Sequence, residues 1–303
     1  MNFQNIKDLS MNKEFFLKIN DIKHWCKIRG IENKTTPLVI IHGGPGGNNY
    51  TFERTIGPHL EQFATVIYYE QRGSGRSEDP LDEGAYSIPL LISDLKSLCT
   101  QLKLNKIIPL GFSFGGELAL EFALSYPNLV EKIIVQAPSD FCDNNRNSYT
   151  QIFGFEQVAS GDLKNQIREI INSNKNVEEK CSSIWEIVDV ATVDKLLFKK
   201  SKNAELNRKY WEESGLINTG LMFKTLKKQK NEIPLLNRVN QIEVLTLILI
   251  GLYDRNVGLN LTRDFANNIP HSKLVIFEQS AHFPDIEESD KYAKVVKDFI
   301  FQD

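Results

Sequence analysis

The sequence predicts an α/β protein: a mostly parallel, doubly wound sheet carrying a helical insertion. Three observations predict it. Short runs are apolar on nearly every residue, helix-like segments alternate with them, and the alternation stops over one long polar stretch. Strands that are apolar throughout suit a sheet covered on both faces, and the intervening helices supply the crossovers that parallel strands need.

The elements follow in order. Phe15 to Ile19 and Ile22 to Ile28 flank Asn20-Asp21, a turn pair, and read as an antiparallel hairpin at one edge of the sheet. Buried-type strands are expected at 37–43 (PLVIIHG), 65–71 (TVIYYEQ), 106–112 (KIIPLGF) and 132–138 (KIIVQAP). Helices are expected from Ser87 to Leu102 and from Gly115 to Tyr126. After Pro138 the pattern breaks. It resumes with a strand at 244–251 (VLTLILIG), a helix near 259–268, a strand at 273–278 (KLVIFE) and a terminal helix near 287–301. Residues 1–138 and 241–303 are therefore assigned to one core. Residues 139–240, rich in Asn and Lys and helical in period, are assigned to an inserted cap.

Length and composition fit this reading and narrow the function. At 303 residues there is room for a large core plus an insertion. A net charge of -3 provides no pull toward nucleic acid or anionic lipid, so a small molecule or small peptide is the expected partner, with neither nucleic acid nor membrane. The basic run KTLKKQK at 224–230 reads as the solvated face of a helix. Cys26, Cys99, Cys142 and Cys181 lie far apart with no CxxC or Cys/His spacing, which points to buried thiols in a reducing compartment. No metal and no cofactor is expected. The start, MNFQNIKDLSMNKEFF, lacks a continuous apolar core and a small-residue cleavage site, and no apolar run approaches the roughly 20 residues that span a bilayer. Cytoplasmic residence is the expectation.

The chemistry is carried first by Gly111-Phe112-Ser113-Phe114-Gly115, set between an apolar strand and an amphipathic helix. In that setting G-x-S-x-G is a sharp turn that lifts the serine hydroxyl out of the sheet, and the glycines remove Cβ atoms that would collide with neighbouring backbone. Ser113 is the candidate nucleophile. The loop His42-Gly43-Gly44-Pro45-Gly46-Gly47 follows the first buried-type strand, where a second donor to a developing oxyanion is expected. The donors are assigned to the backbone N–H groups of Gly44 and Phe114. No Lys-Ser/Thr follows and no G-x-G-x-x-G is present, so a phosphate-cradling loop is excluded. His42 is read as shaping the turn.

A serine needs a base, and in a strand–elbow–helix arrangement of this kind the chain order is Ser, then Asp or Glu, then His. Asp254 follows one late strand in GLYDRNVG and His282 follows the next in EQSAHFPD, both at the carboxyl ends where the elbow also emerges. His24, His59 and His271 sit elsewhere and read as surface or packing residues. Asp140, after the strand ending near Ala137, is the rival acid, and Asp285 reads as a cap of the last helix. The order and setting point to an α/β-hydrolase fold.

With these residues in hand, the chain resembles the proline iminopeptidase family of α/β-hydrolases. The matches are HGGPGG at 42–47, YEQRGSGRS at 69–77, GFSFGG at 111–116, GLYD at 251–254 and SAH at 280–282. Glu70 stands where the family usually has Asp, and Phe114 where it usually has Trp or Tyr. Arg72 and Arg76 are read as holding their loop beneath the site. The resemblance implies release of an N-terminal residue, preferably proline, and cap carboxylates that hold the free amine. A Trp-Glu pair is one recurring source of such a carboxylate in the family, so the candidates are Glu212, after Trp211, with Glu213 and Glu232, and Glu205 as a further alternate. Two other functions stay open: a hydrolase of small esters, amides or lactones, and a non-catalytic ligand-binding protein on the same scaffold.

Overall fold

A computed structural model describes residues 14–82, 84–141, 144–229 and 233–302. The amino-terminal stretch through residue 13, Cys142, Lys230 and the candidate Glu232 lie outside the described residues.

Eight strands form one sheet in the order β1-β2-β4-β3-β5-β6-β7-β8. They are β1 (Glu14–Ile19), β2 (Ile22–Arg29), β3 (Leu38–Ile41), β4 (Val66–Tyr69), β5 (Ile108–Phe112), β6 (Ile133–Gln136), β7 (Thr246–Gly251) and β8 (Ser272–Phe277). The β1–β2 pair is the expected hairpin. Asn20 and Asp21 both take positive φ, 46° and 65°, the conformation that two-residue hairpin turns demand and that Asn and Asp tolerate. β2 runs antiparallel to β4, and every pair from β4 to β8 is parallel.

The side-chain alternation of β3 shows why a run with no polar residue forms a central strand. Val39 and Ile41 enter one apolar cluster with Leu95 of α3 (Ile88–Gln101), Phe122 of α4 (Phe114–Ser125) and Phe265 of α11 (Leu259–Asn268). Leu38 and Ile40 enter a second cluster on the opposite face. There they meet Phe52 of α1 (Tyr50–Arg54), Leu60 of α2 (Gly57–Glu61) and Val296 of α13 (Ser289–Ile300). Each face removes a continuous apolar surface from water, at about 25 cal/mol per Å².

Between β6 and β7 the described residues form helices and no strand: α5 (Asn144–Val158), α6 (Gly161–Asn172), α7 (Val177–Ile187), α8 (Val190–Leu197), α9 (Ser201–Ser214) and α10 (Leu221–Lys228). Ile152, Phe155, Ile167, Ile184 and Leu196 give this segment an apolar cluster of its own. No helix among the described residues is long and apolar enough to cross a membrane.

Two expectations change. The terminal helix is α13, with the short α12 (Pro284–Glu287) just before it, and Asp285 does not cap it: it lies buried inside α12 and accepts the Gln136 amide at 2.8 Å. The basic run is also not purely a solvated face, because Lys224 and Lys227 on α10 border the large cavity described next.

Candidate active site

In this sheet order the chain passes to opposite sides of β3 at β4 and β5, so the loops after β3 and β5 open the crevice typical of such a switch point. A cavity of about 830 Å³ occupies it, and Gly44, Ser113, Phe114 and His282 all line it.

Ser113 sits between β5 and α4 with φ 53° and ψ -121°, a backbone conformation that costs a non-glycine residue about 1–3 kcal/mol and is retained where the surroundings impose it. The surroundings do so here. The Ser113 N–H donates to the Gln136 carbonyl at 2.8 Å, and its own carbonyl accepts the Gly116 N–H at 2.9 Å as α4 begins. A Cβ on Gly115 would lie 2.0 Å from the Ile41 carbonyl oxygen, so only glycine lets the helix start against the end of β3. Phe114 is the first residue of α4, where the backbone N–H has no intrahelical acceptor.

Asp254 and His282 meet although they follow different strands. The Asp254 Oδ2 lies 2.8 Å from His282 Nδ1, and Asp254 Oδ1 accepts the N–H groups of Asn256 and Val257 at 2.8 and 2.9 Å. Burial raises the Asp254 pKa, but the His282 imidazole and these donors outweigh it and hold the carboxyl below its ordinary value. An ionised carboxylate only accepts, so Nδ1 carries the proton and Nε2 presents its lone pair. The Asn256 amide nitrogen lies 3.3 Å from that Nε2.

The rival acid is accounted for elsewhere. Asp140 is buried and its two oxygens accept the N–H groups of Leu235 and Leu236 at 3.3 and 3.0 Å, away from the histidine. His42 is fully buried in the turn: its Nε2 accepts the Gln71 N–H at 3.1 Å and its Nδ1 donates to the Gly43 carbonyl at 2.9 Å, and burial lowers its pKa. Arg72 binds both oxygens of Asp94 at 2.6 and 2.8 Å, while Arg76 bonds Glu70 through its backbone and side chain at 2.6 and 3.1 Å. Both arginines hold the loop from beneath. Glu70 fills the Asp position of the motif and also takes the Asn49 N–H at 3.1 Å.

The amine-binding candidates fall differently. On α9, Trp211 and Asn207 line the cavity, and a helix places residues four apart on one face. Glu212 is turned about 100° away from that face and is exposed, as is Glu205. Glu213 is engaged outside, accepting the Tyr50 hydroxyl at 3.0 Å and lying 3.9 Å from Arg54. Among the described residues, the carboxylates that line the cavity are Glu178, Glu186 and Asp285. Of these, Asp285 is pushed up to about 6 by burial, against the hydrogen bond from Gln136, and Glu178 lies 3.9 Å from Lys227.

Several cavity residues carried no local signal: Gln151 and Trp185 from the helical segment, and Asn218, whose amide donates to the Pro45 carbonyl at 3.0 Å and ties that segment to the glycine-rich loop. The histidine loop is tied to it as well. Glu287 accepts the N–H groups of Ala281, Lys199 and Lys200 at 2.7, 3.0 and 2.9 Å, and the His282 N–H donates to the Leu197 carbonyl at 3.0 Å.

This sheet order, elbow and late Asp–His pair define a protein class, and the family comparison agrees: the chain belongs to the alpha/beta hydrolase fold family, which matches residues 36–289. The chain is a hydrolase of this fold. It is similar to the proline iminopeptidase of Saccharolobus solfataricus, with 28% identity over 320 aligned positions covering 99% of this chain and 96% of that one. Among solved structures it resembles a proline iminopeptidase-related protein from Thermus thermophilus, with a TM-score of 0.78 at 18% identity over 95% of this chain and 96% of that one. It also resembles an esterase from Exiguobacterium antarcticum, with a TM-score of 0.69 at 22% identity over 96% of this chain and all (100%) of the other. At such identities these two likenesses speak for the fold alone.

Proposed function

We propose that the protein is a serine aminopeptidase that releases an N-terminal residue, preferably proline, from short peptides. The observation that carries the serine chemistry is the convergence on one cavity of a strained Ser113 and a His282 held by Asp254 at 2.8 Å. Ser113 attacks the carbonyl, His282 takes the hydroxyl proton and returns it to the leaving amine, and Asp254 keeps the imidazole in the tautomer that can accept. The Gly44 and Phe114 N–H groups receive the oxyanion, each contributing about 2.7–4 kcal/mol to the transition state. Water then hydrolyses the acyl-enzyme.

The helical segment acts as the cap that restricts the cleft to a chain end, and a buried ammonium requires a carboxylate partner there. We assign Glu186, an exposed residue of α7 that lines the cavity, since Glu178 lies near Lys227 and Asp285 takes the Gln136 amide. The name carried by the Saccharolobus solfataricus relative supports the amino-terminal specificity. The buried free thiols of Cys26, Cys99 and Cys181 support a reducing, cytoplasmic site of action.

The second reading keeps the triad and takes a small ester, amide or lactone; it is favoured by the placement of Glu212 outside the cavity lining and by the exposure of Glu186. A panel of aminoacyl arylamides and acyl esters, run on wild type and Ser113→Ala, separates the two. Prolyl arylamide cleavage lost in Ser113→Ala supports the aminopeptidase. Brisk ester cleavage without release of proline overturns it in favour of the second reading.

A further inference from the structure

We propose that Asn256 is a positioning residue that caps the His282 base in the resting enzyme, and that Gln151 and Trp185 set its hold. The inference rests on the reading of Ser113 as nucleophile and His282 as base.

The polarity of the contacts fixes every orientation. The Trp185 indole N–H can only donate, and it lies 2.9 Å from Gln151 Oε1, where the Cys181 thiol also reaches at 3.4 Å. Gln151 must therefore turn its NH₂ group outward, and that nitrogen lies 2.9 Å from Asn256 Oδ1. Asn256 must in turn present its own NH₂ group to His282, where it lies 3.3 Å from Nε2. His282 then donates from Nδ1 to Asp254 at 2.8 Å. A single one-way chain of donors runs from an indole on α7, through α5, to the buried carboxylate. Reversing either amide would set acceptor against acceptor at one end and donor against donor at the other.

The consequence concerns Nε2. Its one lone pair is the acceptor that the Ser113 hydroxyl requires, and in this arrangement the Asn256 amide occupies it. The chain also opposes the next step: once Nε2 has taken the serine proton it becomes a donor facing a donor. Asn256 must turn away before His282 can hold that proton, and Gln151 restrains it from turning. Trp185, Gln151, Asn256 and His282 all line the cavity, and Trp185 is 40% exposed. A substrate that takes the indole N–H or displaces the Gln151 amide breaks the chain and frees the base. Occupancy of the far side of the cavity is thereby coupled to readiness at the serine.

The test is the rate at which a small alkyl fluorophosphonate, too short to reach Trp185, modifies Ser113 in the full chain. Asn256→Ala should accelerate modification about 3- to 10-fold, the range that one hydrogen bond spans. Trp185→Phe removes the N–H together with the five-membered ring while keeping an aromatic side chain beside Phe155, and should accelerate it in the same direction. The double variant should gain no more than Asn256→Ala alone, because both changes break one chain; a merely structural role would not show this non-additivity. Trp185→Phe alone carries the test if Asn256→Ala does not fold. Rates within 2-fold of wild type, or slower, in whichever folded variants are measured would overturn the capping role while leaving the serine chemistry intact. No modification at Ser113 in any folded protein, wild type included, would instead strike the reading on which the inference rests.

Discussion

The carbonyl oxygen of Ala281 lies 1.9 Å from where a Cβ on Gly251 would stand, so the end of β7 and the histidine loop are in backbone contact. This contact lies three residues before Asp254 and one before His282, and it is what allows two strand-end loops to bring their side chains to 2.8 Å. Gly251→Ala is therefore expected to destabilise the fold by roughly 2–4 kcal/mol through overpacking against backbone that cannot retreat. Denaturant midpoints check the stability. Turnover of the folded fraction should fall as well, because the loops separate.

Asp254→Asn should preserve the fold and lower kcat by about 10⁴-fold with little change in KM, since an amide no longer fixes the proton on Nδ1. Steady-state kinetics on a matched folded preparation is the check. A loss under 10-fold would hand the orienting role to another acid.

Glu117 supplies a pH dependence of stability. It is buried in the first turn of α4, accepting the Ser139 hydroxyl at 2.7 Å and the Phe141 N–H at 3.0 Å. Burial pushes its pKa from 4.5 to about 8, against those hydrogen bonds. Between these values the folded protein keeps a proton that the unfolded chain has released, so stability falls as pH rises from about 4.5 through 8. The loss is on the order of a few kcal/mol at most. Glu117→Gln mimics the protonated acid and should flatten this part of the stability–pH curve. Thermal melts of both proteins across that window test it.

Glu287 joins the histidine loop to the start of α9 through three backbone N–H groups. Glu287→Gln replaces one acceptor with a donor and leaves at least one buried N–H unpaired, costing about 1–3 kcal/mol. Cleavage near residues 197–200 in limited proteolysis should increase, and a variant as resistant as wild type would show that the loop is held by other contacts.

The cavity carboxylates give opposed expectations. Glu212→Gln and Glu213→Gln should change turnover of a prolyl arylamide by no more than about 2-fold, because neither side chain lines the cavity. Glu186→Gln should raise its KM roughly 10- to 100-fold, the effect of losing a charged hydrogen-bond partner, and spare acyl esters. The reverse pattern would restore the pair after Trp211 as the amine site.

Much of the architecture was legible because the strands are short and apolar throughout, which only a sheet covered on both faces accommodates. Leu38 to Ile41 is the plainest case: four apolar residues feed two separate clusters. The elbow was legible for a local reason, since glycines flank a serine at a strand–helix junction. The direction of Glu212 was not legible, because the composition of α9 does not say which face meets the cavity; Trp211 and Asn207 decide that only through packing. Asp285 read as a cap because its burial depends on Gln136, far away in the chain. The chain from Trp185 to His282 left no trace in any window of sequence, since its members stand on α5, α7 and two separate loops.

The most direct measurement is intact-mass and peptide-level analysis after treatment with a fluorophosphonate. One adduct is expected, on Ser113, absent from Ser113→Ala and formed at least roughly 100-fold more slowly in His282→Ala, because the nucleophile loses its base. A folded wild-type protein that stays unmodified, or whose modification rate is indifferent to the loss of His282, would contradict it.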